Sequence, residues 1–348
     1  MFGLVLLTYI LYHLQGILAP LIFALIIAIL LNPLVNRLMK RKLPHVVSII
    51  IAMLLLAIVI WIIFYFLSDQ LASFSDQLPI LREKLSAILL QLQQWVQQTF
   101  NIAIKKQVQF INELLDSSKG MVGETLNTVL GAVSVLLLMP VYIFLFLFYK
   151  QLMLDFLYDA LTTTDSTQVK EILGESKTAV QSYMVGLLLE SLIIAVLNSV
   201  ALLILGVEYA ILLGVIGALI NILPYIGGII AIALPLLMST ITSDGFSTQI
   251  GIVIAYLIIQ MIDNNFIVPL IVSSKVKINA LFSIVAVLLG GALWGISGMF
   301  LSIPVTGIVK IIFDRIDGLK PWGKLLGYEE KVKIKSLSLK RKRNITAE

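Results

Sequence analysis

The chain lacks most of the side chains that carry out chemistry in soluble enzymes. It contains no cysteine among its 348 residues, and His13 and His45 are its only histidines. Without cysteine there are no disulfides, no thiol catalysis and no cysteine metal sites, and two histidines are too few for a zinc centre. The sequence also contains no hydrolase elbow, carboxylate dyad or complete phosphate-binding loop. We therefore expect that the protein is not an enzyme and holds no metal or cofactor.

Charged residues are scarce as well. They make up 13% of the chain, against 59% hydrophobic residues, and the mean hydropathy is +1.02. Soluble domains carry about 25% charged residues. Five runs without Asp, Glu, Lys or Arg each exceed the roughly 20 residues that a helix needs to cross a bilayer; they are residues 1–36, 43–68, 125–149, 209–243 and 278–309. These features predict an all-α integral membrane protein in contact with lipid.

The net charge of +5 is concentrated in the C-terminal tail, where residues 331–348 hold seven basic residues and one acidic residue. The rest of the chain is close to neutral, so we expect no binding of nucleic acid. A basic tail after a membrane helix instead indicates an anchor on anionic lipid at the cytoplasmic face. Loop 36–45 also carries four basic residues, and the positive-inside rule places it in the cytoplasm.

The distribution of polar residues divides the chain into four regions. We predict N-terminal transmembrane helices in 1–67, an extramembrane helical insert in 68–124, a C-terminal transmembrane transport region in 125–313 and a basic cytoplasmic tail in 314–348.

The insert should lie on the outer side of the membrane, opposite the cytoplasm. Its apolar residues recur at spacings of three and four and predict an amphipathic helix, which packs against neighbouring helices or against another subunit; they are Leu78, Leu81, Leu85, Ile88, Leu92 and Trp95.

Three apolar runs are too long for one upright helix. The run from Phe2 to Val35 fits two closely spaced helices or one kinked helix, whereas 209–242 and 278–313 are interrupted by Pro and Gly. If the first run is two helices and each of the other two runs is one tilted helix, the chain has eight spans, both termini lie inside and Lys275 and Lys277 lie outside. If both are broken or re-entrant hairpins, the two lysines lie inside, which the positive-inside rule favours. Broken helices are tolerated where protein or a water-filled cavity satisfies their backbone.

Polar residues fall on one face of the span after 250. Gln260, Asp263 and Asn264 are spaced i, i+3, i+4, with Pro269 one turn further on. An Asp at membrane depth costs a few kcal/mol on insertion scales, so it should face protein or water and be paired. We interpret Asp263 as a site for an ion, a proton or a substrate. A hydrogen-bonded clamp between helices, or a hydrated position near the interface, would be the structural alternative.

Two further places carry polar groups among apolar residues. Glu190 shares a predicted helix face with Asn198, and it either binds a proton or sodium together with Asp263 or is a helix-end charge near the headgroups. The string from Asn221 to Gly228 reads Asn-Ile-Leu-Pro-Tyr-Ile-Gly-Gly. Its broken backbone either coordinates a ligand or forms a packing kink. The candidate lining residues are Asn221, Pro224, Tyr225, Gly227, Gly228 and Asn198, and the candidate hinge or packing residues are Gly291, Gly295, Pro269 and Pro304.

Taken together, these strings resemble the autoinducer-2 exporter family of bacterial transporters. The matching pieces are Pro20 with Asn32-Pro33-Leu34-Val35, the string from Asn221 to Gly228, the segment from Gln260 to Pro269, and Gly290 to Gly298 leading to Ser302–Thr306. The likeness extends over about residues 16–326.

The resemblance implies a secondary transporter of the inner membrane with about eight spans and a homo-oligomeric, plausibly pentameric, assembly. It implies export of a small molecule such as autoinducer-2, coupled to an ion or to protons, or alternatively sodium(lithium)/proton antiport. In either case Asp263 would be the coupling carboxylate. A membrane scaffold that recruits a partner through the insert, and a channel, are the alternatives of another class.

Overall fold

The computed structural model describes residues 2–75, 78–101, 103–105, 108–109, 138–160, 166–223, 227–242, 246–272 and 278–327. Every regular element in these ranges is helical. In chain order the elements are α1 (Phe2–His13), α2 (Gln15–Lys40), α3 (His45–Ser75), α4 (Leu78–Phe100), α5 (Leu138–Phe148), α6 (Lys150–Ala160), α7 (Ser166–Ile204), α8 (Ala210–Asn221), α9 (Gly227–Ala231), α10 (Ala233–Thr242), α11 (Ser247–Ile262), a π-helical segment (Asp263–Val272), α12 (Ala280–Arg315), a 3-10 turn (Asp317–Leu319) and α13 (Lys320–Leu326).

Five helical segments of the described part are long and apolar enough to cross a bilayer, and α5 with α6, bent by 63°, would make a sixth. The five are Gln15–Lys40, His45–Ser68, Thr167–Ile204, Ser247–Val272 and Ala280–Arg315. The expectation of about eight spans is therefore approximate. The run from Phe2 to Val35 forms short α1 and long α2, which separate at Leu14, and the described part of the run 209–242 consists of short helices.

The helix α12 folds back on itself. Its backbone leaves the helical region at Trp294 and at Gly295, where φ is +58° and glycine avoids the strain that a side chain would cause. A Cβ atom added to Gly290 would lie 2.4 Å from the carbonyl oxygen of Gly298, whereas residues eight apart in a straight helix are about 12 Å apart. The two arms of α12 therefore pack side by side as a hairpin with its tip at Trp294.

The base of this hairpin is closed by α13. The backbone N–H of Asn279 donates to the carbonyl of Leu326 at 2.9 Å, and its side-chain amide donates to the carbonyl of Leu325 at 2.7 Å. The side-chain oxygen of Asn279 also caps α12 by accepting from the N–H of Phe282. At the tip, the indole N–H of Trp294 donates to the carbonyl of Leu11 at 2.9 Å, where the break between α1 and α2 exposes that carbonyl.

A second hairpin consists of α8 followed by α9 and α10. Gly217 of α8 packs against Ala231 of α9, with 3.5 Å between the Ala231 Cβ and a Cβ placed on Gly217. Residues 14 apart in a straight helix would be about 21 Å apart, so α9 runs back along α8 after a break. Pro224 and Tyr225, expected at this break, lie outside the described residues.

The long helix α7 joins both hairpins. At its C-terminal end Leu205 contacts Gly251 of α11, and close to that end Ser199 packs against Gly214 of α8. At its N-terminal end Glu171 and Glu175 form ion pairs with Arg315 at the end of α12. The two hairpins therefore begin at opposite ends of α7. The helix α11 and the π-helical segment run antiparallel to α7, with the carbonyl of Ile271 against Gly186.

The amphipathic pattern of the insert coincides with the helix α4, which contacts α10. The helices α2, α3 and α5 share a separate apolar core that includes Ala28, Ile49 and Ile143. Of the charge-free run 125–149, residues 125–137 lie outside the described part, as do Lys275, Lys277 and the tail after Gly327.

Candidate functional site

A cavity of about 580 Å³ lies between α7, the turn after α8, the segment from α11 to Val272 and the base of α12. Its wall is mainly apolar, with isoleucine, leucine and valine side chains. The polar and aromatic lining residues are Tyr183, Glu190, Asn221, Tyr256, Gln260, Asp263, Asn264 and Ser283. Volumes of about 300–1,000 Å³ with a few convergent polar groups are typical of sites for small molecules.

Asp263 is the most deeply buried of the charged residues in this wall. It retains 2% of its surface and stands where α11 passes into the π-helical segment. Its Oδ2 accepts a hydrogen bond from the side-chain amide of Asn221 at 3.1 Å, and its Oδ1 has no hydrogen-bond partner among the described residues. A buried carboxylate needs such partners to offset the loss of hydration, so a proton, a cation or a hydrogen-bond donor at Oδ1 would complete the pairing of this carboxylate.

Asn221 and Asp263 come from different elements. Asn221 ends α8 at the tip of the hairpin that α8 forms with α9 and α10, whereas Asp263 follows α11, and the two residues are 42 positions apart in the chain. Their hydrogen bond fixes the hairpin tip against the crossing helix. The bond is consistent with the interhelical hydrogen-bond clamp that the sequence analysis gave as the structural alternative. This clamp uses only one of the two carboxylate oxygens, since Oδ1 of Asp263 has no hydrogen-bond partner among the described residues.

The helical spacing brings Gln260 and Asn264 to the same cavity as Asp263. Asn265 points elsewhere and donates to the carbonyl of Met261 at 2.8 Å. The π-helical segment widens the turns that follow Asp263 and includes Pro269, which has no N–H to donate. Single π-helical turns inside α-helices occur often at functional sites.

Glu190 supplies a second carboxylate to the cavity. It lies well inside α7, retains 7% of its surface and is close enough to Asp263 for the two side chains to interact electrostatically. Two carboxylates that share a low-dielectric cavity repel each other when both are ionised. The pair therefore favours binding of a proton or a cation.

Gly228 creates room beside the amides of Asn221 and Gln260. A Cβ at this position would lie 2.3 Å from Gln260 Oε1 and 3.3 Å from Asn221 Oδ1. Gly227 is buried against the carbonyl of Ile220, where a Cβ would lie at 2.3 Å. The two glycines therefore differ: Gly227 permits the close backbone turn, and Gly228 lines the cavity.

The other predicted positions lie away from the lining. Asn198 is buried behind the wall, near Gly217 of α8. Gly291 packs against Met299 on the opposite arm of α12, Gly295 forms the hairpin tip, and Pro304 is buried in the second arm. Pro269 is exposed and belongs to the π-helical segment.

The sequence did not indicate two tyrosines of the lining, Tyr183 and Tyr256. Tyr256 is one turn before Gln260, and Tyr183 is two turns before Glu190. Helical spacing from the polar residues could have identified both.

Membrane-crossing helices, two helical hairpins and a mainly apolar cavity with a few convergent polar groups define a multi-pass membrane protein of the transporter class. The sequence model of the AI-2E family transporters matches residues 1–318. The chain belongs to this family.

Curated relatives agree with the family. YueF of Bacillus subtilis is 26% identical over 226 residues, which cover 64% of this chain and 61% of YueF. YrrI of the same organism is 33% identical over 130 residues, or 37% of this chain and 36% of YrrI. The AI-2 transport protein TqsA of Escherichia coli is 30% identical over 114 residues, or 33% of each chain. The aligned parts thus span about one third to three fifths of these relatives.

Proposed function

We propose that this protein is a secondary transporter of the inner membrane that exports a small polar molecule, with Asp263 as the coupling carboxylate. The observation that carries the proposal is the buried Asp263, with one carboxylate oxygen held by Asn221 and the other free, in the wall of a cavity of about 580 Å³. Such a carboxylate can bind and release a proton or a cation as the substrate moves, which couples transport to an ion gradient without nucleotide hydrolysis.

The proposed substrate is autoinducer-2 or a molecule of similar size and polarity. TqsA, one of the relatives, is named for transport of AI-2. The amides of Asn221, Gln260 and Asn264 offer donors and acceptors that suit hydroxyl groups, and the apolar wall suits a carbon skeleton. Homo-oligomerisation, a cytoplasmic loop 36–45 and an external insert 68–124 belong to the same proposal.

A second candidate, sodium(lithium)/proton antiport, is favoured by the oxygen atoms around Gly228. The side-chain oxygens of Asn221 and Gln260 both lie within 3.3 Å of a Cβ placed on Gly228, and Asp263 is bonded to Asn221. Oxygen ligands of this kind suit a hard monovalent cation. In this case the ion itself would be the cargo.

Purified full-length protein in liposomes tests both candidates. We expect saturable flux of autoinducer-2 driven by a proton or sodium gradient, and a decrease of about tenfold or more in Asp263→Asn, since about 1.4 kcal/mol of lost interaction is a factor of ten. Asp155→Asn is the matched control, because Asp155 is exposed on α6 and contacts Gln151.

Three outcomes separate the alternatives. A sodium-dependent pH change without any flux of autoinducer-2 would support antiport. Unchanged flux in Asp263→Asn would contradict the role of Asp263. Correctly folded protein with neither activity would favour a scaffold.

A further inference from the structure

Two buried polar groups, one from α7 and one from α11, lie beside the same glycine of α8. Asn198 of α7 retains 2% of its surface and Tyr256 of α11 retains 7%. The Oδ1 of Asn198 and the hydroxyl of Tyr256 have no hydrogen-bond partner among the described residues. Buried polar atoms nearly always have a hydrogen-bond partner, either a protein group or an ordered water molecule. We therefore expect these two atoms to have such a partner.

Both groups converge on Gly217 of α8. A Cβ placed on Gly217 would lie 3.4 Å from the Asn198 Nδ2, 3.5 Å from the Tyr256 hydroxyl oxygen and 3.5 Å from the Cβ of Ala231. These are ordinary contact distances. The space in front of the Gly217 Cα atom is therefore bordered by an amide, a hydroxyl and an apolar methyl group, and it is wide enough for a group the size of a methyl.

We propose that Gly217, Asn198 and Tyr256 form a binding site for one water molecule that joins α7, α8 and α11. The water pairs with the side-chain amide of Asn198 and with the Tyr256 hydroxyl. Buried waters characteristically bridge polar groups of this kind, with two to four partners each. The site lies outside the transport cavity, and Tyr256, which also lines the cavity, connects the two. The water holds the Tyr256 hydroxyl in place whether or not a transported molecule occupies the cavity.

Gly217→Ala tests the site, because the added methyl fits sterically but occupies the position of the water. Gly174→Ala is the matched control, since Gly174 lies in α7 with no atom within 4 Å of its added Cβ. Replacing Gly by Ala inside a helix normally stabilises it. We expect Gly174→Ala to raise the melting temperature of the full-length protein in detergent, and Gly217→Ala to lower it by about 2 °C or more. If Gly217→Ala instead raises it by as much as the control does, the site holds no water and the proposal fails.

A double variant separates displacement of the water from a general packing defect. Tyr256→Phe removes one partner of the water, so the destabilisation by Gly217→Ala should shrink or reverse in that background. Additive shifts in melting temperature would contradict the proposal.

A high-resolution cryo-EM map of the unmodified protein gives an independent test. We expect a density peak within hydrogen-bond distance of both the Asn198 amide and the Tyr256 hydroxyl. A direct hydrogen bond between these two side chains would overturn the proposal. None of these measurements involves transport, so their outcome is independent of the proposed function.

Discussion

The hydrogen bond between Asn221 and Asp263 is the contact on which the geometry of the cavity depends. Asn221→Ala would leave a carboxylate with 2% of its surface exposed without a described hydrogen-bond partner. Loss of a partner at a buried polar group costs about 1–3 kcal/mol, and more for a charged group. We therefore expect Asn221→Ala to lower the melting temperature clearly. Asn265→Ala, at an exposed asparagine of the same segment, should change it little, and equal shifts in the two variants would contradict the interpretation.

Gly228 keeps the Gln260 amide at its position in the cavity. In Gly228→Ala the new methyl would come within 2.3 Å of Gln260 Oε1, the end of a flexible side chain that can rotate away. We expect a folded protein of nearly unchanged melting temperature with a raised KM for the transported molecule, measured as flux into liposomes. Gly16→Ala, where the added Cβ meets nothing within 4 Å, should leave the KM unchanged. A KM in Gly228→Ala equal to that of Gly16→Ala would exclude Gly228 from the binding site.

Individual residues of the site were predictable where polarity or spacing marked them. Gln260, Asp263 and Asn264 follow helical periodicity, and Asn221 and Gly228 belong to a string of Pro and Gly. Neither polarity nor a sequence motif distinguishes Tyr256 and Tyr183 as site residues, because tyrosine is common in apolar helices. Asn198 shares a face with Glu190 but is about 12 Å further along α7, where α8 packs against it, so it borders Gly217 instead of the cavity.

At the scale of elements, the broken runs were predictable and the positions of the reversals were not. The density of Pro and Gly in 209–242 and 278–313 indicated interruptions. The reversal of α12 depends on Trp294 and Gly295, and on whether the two arms can approach closely enough to pack. The close approach of the two arms depends on tertiary contacts between Gly290 and Gly298. Such contacts cannot be predicted from a single sequence.

The close contact between the arms of α12 gives a prediction for the hairpin. In Gly298→Ala the added Cβ would overlap the backbone carbonyl of Gly290, which cannot rotate away. Overpacking of this kind costs about 1–3 kcal/mol or more, so we expect a lower melting temperature and a smaller monodisperse fraction in size-exclusion chromatography. Gly291→Ala meets only the flexible end of Met299 and should be milder. If Gly291→Ala is as damaging as Gly298→Ala, the arms do not pack as described.

At the scale of the whole molecule, the two hairpins bear on how often the chain crosses the membrane. Each hairpin returns to the end of α7 from which it starts; if both are re-entrant, α7 and the segment Ser247–Val272 would make the full crossings of this half. The ion pairs of Arg315 with Glu171 and Glu175 place the end of α12 beside the start of α7. The helix α4 contacts α10 at the opposite end, beside the ring contact between Phe74 and Tyr209. From these contacts we expect the hairpin topology, with both ends of α12 on one side of the membrane.

Single-cysteine labelling tests that topology directly, because the chain contains no native cysteine. We expect a membrane-impermeant maleimide to label Gln94→Cys on intact cells, and to label Pro44→Cys, Leu281→Cys and Gly318→Cys only after permeabilisation. Leu281 is the position that distinguishes the two topologies. It is exposed and lies two residues after Asn279, whose backbone hydrogen bond to Leu326 holds the start of α12 beside the end of α13. A single tilted helix in 280–315 would place Leu281 outside and Gly318 inside, whereas a hairpin keeps both on the cytoplasmic side. Labelling of Leu281→Cys on intact cells would therefore exclude the hairpin within the membrane.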